Sequence, residues 1–173
     1  MGSLREEAVE KLLRSYEAYF NITRFDDEQL PLTARCDFFE HSQKYVLSRK
    51  AELWAADSEE FIYLYNMPHL TKELFEKCKL QAYEDGCSRM HIGPGHMYTF
   101  ITAVFLCDTC DRDAMKALRK SRIYKSFHFS LHGWLDYHNA IVCFEEGSRV
   151  ESNYAGRSTA KIVKKILFSR RES

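Results

Sequence analysis

The chain has 173 residues, enough for one domain and short for two. Hydrophobic residues at 45% beside charged residues at 29% describe a globular chain and exclude a disordered one. Lys and Arg number 25 and so do Asp and Glu, which argues against a dedicated nucleic-acid binder, without excluding a local basic patch, and leaves little charge repulsion against self-association.

The first helix is expected over 4–21. Ser3 and Glu6 have capping-box spacing, and Val9, Leu12, Leu13, Tyr16 and Phe20 follow at helical spacing. Leu32, Ala34, Cys36 and Phe38 alternate with polar neighbours and predict a strand over 32–39. A second strand is expected over 44–54 and a third over 61–65, the β-prone run Phe61-Ile62-Tyr63-Leu64-Tyr65. Thr71 opens a helix with Leu74, Phe75, Cys78 and Ala82 on one face and Gly86 as its stop. The segment 91–96 holds Gly93-Pro94-Gly95 and reads as a loop, before an apolar strand over 97–107. A short helix carries Met115 and Leu118. Phe127, Phe129 and Leu131 then alternate with His128, Ser130 and His132, predicting a strand over 126–132. Gly133-Trp134 turns the chain into a strand over 135–145, a short one follows over 149–152, and Ser158 caps a last helix.

The order is α-β-β-β-α-β-α-β-β-β-α. It predicts an α+β fold, mostly antiparallel sheet with helices packed on it, as one domain over 1–173. No stretch reaches the roughly 18 apolar residues of a membrane span. The first residues lack the basic and apolar regions of a secretory signal, so a cytoplasmic location is expected. The six cysteines are scattered and are expected to be free thiols.

Four stretches are recognisable together: Lys44-Tyr45-Val46-Leu47-Ser48-Arg49-Lys50-Ala51, the strand around His96-Met97-Tyr98-Thr99-Phe100, Lys125-Ser126-Phe127 through Gly133-Trp134-Leu135-Asp136, and Asn153-Tyr154-Ala155-Gly156-Arg157. The chain resembles an uncharacterised bacterial domain family of unknown function from clostridia-like Firmicutes. The resemblance implies a bacterial cytoplasmic origin and one domain. It carries over no catalytic or binding residue.

Residues two apart on a strand share a face, so a regular strand over 126–132 would align His128, Ser130 and His132. Asp136 and His138 would face them from the returning strand. Imidazoles and a carboxylate in that arrangement are suited to transition-metal binding or acid–base work. The plain alternative is a solvated sheet face. Cys107-Asp108-Thr109-Cys110 has redox-motif spacing but no second pair to complete a zinc site; a strand-end turn with two free thiols is its plain reading. The glycine loop lacks the Lys-Ser/Thr of a phosphate loop. The order α-β-β-β-α-β is also that of restriction-endonuclease-like nucleases, which need an Asp on the second strand and carboxylate-x-Lys on the third. The run 61–65 offers no such carboxylate.

These observations point to a non-enzymatic cytoplasmic binding or interaction domain, with a protein, a peptide or a second copy as partner. No cofactor, nucleic acid or membrane is implied. His96, His128, His132, Trp134, Asp136 and His138 are the candidate binding residues. The alternative is a metal-binding protein or hydrolase-like enzyme built on His128, His132, Asp136 and His138.

Overall fold

The computed structural model describes residues 2–43 and 55–169. The expected strand over 44–54 and the stretch Lys44 to Ala51 lie outside them. Helix α1 spans Leu4–Tyr16, followed by strands β1 (Asn21–Arg24), β2 (Leu32–Gln43) and β3 (Ala55–Leu70), then α2 (Lys72–Arg89) and β4 (His96–Cys110). Helix α3 (Arg112–Lys120), strands β5 (Tyr124–Ser126), β6 (Trp134–Cys143) and β7 (Arg149–Ser152), and α4 (Arg157–Phe168) complete the chain. Among the described residues, no helix is long and apolar enough to cross a membrane.

Local signals place the helix starts. The Glu6 amide donates to Ser3 Oγ at 3.2 Å while the Ser3 amide donates to Glu6 Oε2 at 2.9 Å, the reciprocal capping box. Thr71 Oγ1 accepts from the Leu74 amide at 3.1 Å. Gly86 does not stop α2. It lies inside the helix, where an added Cβ would fall 2.6 Å from Ile101 Cδ1. The last helix starts at Arg157 with Gly156 at its N-cap, ahead of Ser158.

The fold is α+β, but the expectation of a mostly antiparallel sheet is corrected. The seven strands form one mixed sheet in the order β1-β2-β3-β4-β6-β5, with β7 also on β6. β3, β4 and β6 run parallel at its centre. A parallel neighbour needs a crossover rather than a hairpin, and α2 and α3 lie in those two crossovers. The antiparallel pairs are confined to the flanks.

Helices cover both faces. Phe75, Cys78 and Ala82 of α2 and Met115 and Leu118 of α3 pack on Phe61, Tyr63, Tyr65, Ile101, Phe105 and Tyr137. Leu12 and Leu13 of α1 and Val163 and Leu167 of α4 pack on Ile62, Leu64, Val104, Leu106 and Val142. The central strands are therefore apolar on both sides, as buried parallel strands are.

The strand expected over 126–132 is also corrected. β5 ends at Ser126, and His128, Phe129 and Ser130 adopt left-handed φ of 50°, 52° and 67°. The turn is closed by the Leu131 amide on His128 O at 3.0 Å and the His132 amide on Phe127 O at 3.2 Å. Phe129 and Leu131 are accordingly 97% and 71% exposed rather than buried in alternation. Gly133 ends the turn at φ 77°, where an added Cβ would lie 2.3 Å from Met97 O.

Candidate functional site

The turn separates the residues that a regular strand would have aligned. His128 and His132 stack with ring centroids 4.8 Å apart and planes 20° from parallel. A nitrogen lone pair lies in its ring plane, so near-parallel stacked rings cannot both aim at one metal about 2.1 Å away. Among the described residues, no group of three or more His, Cys, Asp or Glu side chains is arranged to hold a metal. Cys107 lies within β4 and Cys110 ends it, directly before the Asp111 N-cap of α3, and Cys107 Sγ sits 3.6 Å from Cys143 Sγ in the core. That hydrogen bond pushes the Cys143 thiol up to about 12.

Trp134, Asp136 and His138 are brought together. They alternate along β6 and face the α1/α4 side of the sheet, near the amino ends of the parallel strands. Tyr98 and Phe100 of β4 register with Trp134 and Asp136. The result is a row of rings. Trp134 lies 5.9 Å from Tyr98, Tyr98 stacks on Phe100 at 4.4 Å, and Phe100 meets the His138 ring at 4.4 Å. Tyr98, Phe100, Trp134 and Asp136 remain half-exposed. Asp136 Oδ2 lies 3.4 Å from His138 Nε2. Burial nonetheless holds the His138 imidazole below its ordinary value, against the upward pull of Asp136. Beside the row, Glu60 accepts from Thr102 Oγ1 at 2.9 Å and borders an apolar cleft between α1 and α4 with Tyr16, Phe20 and Ile166. Burial pushes its carboxyl up, offset in part by the Thr102 hydroxyl.

His96 lies on the other face. A bulge at Met97 shifts the register between Asp57/His96 and Ser58/Tyr98, so His96 and Thr99 meet on the α2 side. There Glu59, only 2% exposed, accepts from Thr99 Oγ1 at 2.9 Å, from the His91 amide at 2.7 Å and from His91 Nδ1 at 3.0 Å. Thr99 Oγ1 is in turn 2.8 Å from His96 Nε2, while His96 Nδ1 meets the His132 carbonyl. A carbonyl only accepts, so Nδ1 carries a proton. Thr99 has one proton to give. If it goes to a Glu59 carboxylate, Nε2 must donate and His96 is an imidazolium 3.9 Å from that carboxylate. If Glu59 is protonated, the same chain reverses and both end groups are neutral. Either way the Glu59–Thr99–His96 chain has no net charge, which is what a buried site requires.

β3 begins at Ala55, so it holds carboxylates that the shorter run 61–65 lacks. Asp37 and Glu59 both line a cavity of about 460 Å³. The nuclease pattern still fails, because the residues two beyond Glu59 and Glu60 are Phe61 and Ile62 where lysine is needed. Asp37 is moreover held by Arg35 Nε at 2.8 Å. Periodicity did not reveal Glu59 or Glu60, because their partners His91, Thr99 and Thr102 are distant in sequence; an acidic pair directly before a β-prone run was the available signal. Tyr98 and Phe100 were readable only as strand residues. No curated protein and no solved structure matches the chain. The match is to a family model spanning nearly its whole length: the chain belongs to the family described as Domain of unknown function (DUF8052), matched over residues 5–165.

Proposed function

We propose that this chain is a non-enzymatic binding domain that takes a basic side chain of a protein partner on the aromatic row of β4 and β6. The observation that carries this is the succession of partly exposed rings Trp134, Tyr98 and Phe100, backed by the buried His138 ring and flanked by Asp136 and Glu60. Aromatic faces attract cations, by about 0.5–2 kcal/mol per contact. Among the described residues, Ser58, Glu60, Tyr98, Phe100, Thr102, Trp134, Asp136 and His138 make up this part of the face without a Lys or Arg to compete. A guanidinium stacked on the row can also donate to Asp136, a charge-assisted contact. The same reading places the chain as one domain in a bacterial cytoplasm, with a protein rather than a membrane as its partner.

The test is amide chemical-shift mapping with a short arginine-containing peptide. Shifts concentrated at residues 98–100 and 134–138, and abolished in Trp134→Ala, support the proposal. Shifts absent there, or equal with a glutamate-containing peptide, count against it.

A further inference from the structure

The carboxyl ends of the same parallel strands carry the opposite character. A cavity of about 600 Å³ opens beyond the end of β4 and the β6–β7 turn, within the usual size range for small-molecule sites. Arg112, Lys116, Arg119, Lys120 and Arg149 line it, against the single carboxylate of Glu146. In a chain of zero formal charge this is a concentrated positive region. The reason is local. Positions 112, 116, 119 and 120 fall on one face of α3, away from the buried Ala114 and Leu118, while Met115 lies at the edge and lines the cavity floor with them. Arg149 reaches the cavity from β7. Glu151 holds two of the guanidiniums in place, accepting from Arg149 Nε at 2.8 Å and from Arg119 Nη2 at 2.7 Å. Among the described residues Arg112, Lys116 and Lys120 have no carboxylate in ion-pair contact.

We infer that this cavity binds a small molecule bearing a diphosphate or triphosphate, at a site separate from the aromatic row. Several cations converging on one concavity need a multiply charged anion, and guanidinium forks match phosphate oxygens. A nucleic-acid strand fits less well. Arg119 also lines an adjoining cavity with Arg157 and Lys161, but Glu151 stands in that cavity's wall and would repel a continuous phosphate backbone.

The test is calorimetric titration of the full chain with inorganic pyrophosphate at constant ionic strength. Saturable one-site binding is expected. Lys116→Met and Arg149→Met should each weaken it about tenfold, the scale of one charge-assisted contact. Lys161→Met should leave it unchanged. ADP binding at least as well as pyrophosphate, with AMP weaker, would support a nucleoside diphosphate over a free polyphosphate as the source. Lys116 is exposed and its replacement leaves the core untouched, so retained far-UV circular dichroism separates lost binding from lost folding. No binding of pyrophosphate, or binding indifferent to Lys116→Met, overturns the inference. So does tighter binding of single-stranded RNA that is weakened equally by Lys116→Met and Lys161→Met.

Discussion

Asn139 and Asn153 exchange hydrogen bonds across the outer edge of β6: the Asn139 amide donates to Asn153 Oδ1 at 3.1 Å, and the Asn153 amide donates to Asn139 Oδ1 at 2.9 Å. They occupy the gap between β5 and β7, which pair with the two ends of that edge. Asn153 Nδ2 also donates to the carbonyls of Ser121 and Tyr137, both at 3.0 Å, and its Oδ1 accepts from the Gly156 amide at 2.8 Å. Gly156 is needed for this close approach, since a Cβ there would lie 2.2 Å from Asn139 O. The stretch Asn153-Tyr154-Ala155-Gly156-Arg157 thus has a structural explanation.

Asn153→Ala removes one side chain that serves four buried backbone groups. A loss of roughly 3 kcal/mol in unfolding free energy is expected, on the scale of unsatisfied buried polar groups. Urea denaturation measures it. A loss below about 0.5 kcal/mol, the range of ordinary surface substitutions, would contradict the role.

Glu59 and His96 are linked by hydrogen bonds through Thr99 and should be energetically coupled. In a double-mutant cycle with Glu59→Gln and His96→Gln, a coupling energy of about 1–3 kcal/mol is expected. Additivity within roughly 0.5 kcal/mol would mean that the two act independently.

Two groups give opposite pH signatures. The His138 imidazole is depressed chiefly by burial, so below the ordinary value of 6.5 the unfolded chain takes up the proton first. Stability should therefore decline as pH falls below 6.5, and His138→Gln should flatten that part of the curve. The Glu60 carboxyl is raised by burial, so its contribution is full below the ordinary value of 4.5 and is lost as pH rises through the raised value. Glu60→Gln should keep the Thr102 contact and increase stability at neutral pH. Thermal unfolding across pH, with the slopes read as proton uptake, checks both signs.

The start of α1 was legible because a capping box is local chemistry: Ser3 and Glu6 need no tertiary partner, whereas α4 starts ahead of the expected Ser158 cap. The alternation of Ala34 and Cys36 was legible for a similar reason, since their face of β2 meets the α1/α4 core, whereas Leu32, across a register shift, packs on the opposite side. Strand direction was not legible. Whether β4 runs with β3 depends on where α2 delivers the chain, and side-chain alternation is the same in either direction. The segment 127–132 misled because Phe127, Phe129 and Leu131 imitate a strand. No glycine there announces left-handed backbone before Gly133. The histidines consequently divide between a surface stack, a buried relay and the aromatic row. Only Trp134, Asp136 and His138 of the candidate residues share one face.

The aromatic row is tested most directly through Trp134 itself. The chain has two tryptophans, so a Trp54→Phe variant leaves Trp134 as the only indole reporter. Its emission is followed as an arginine-containing peptide is added, with a glutamate counterpart as control. A saturable change is expected with the arginine peptide alone, weakened about tenfold by Asp136→Asn, as for loss of one charge-assisted contact. Emission that does not respond, or responds equally to both peptides, would contradict it.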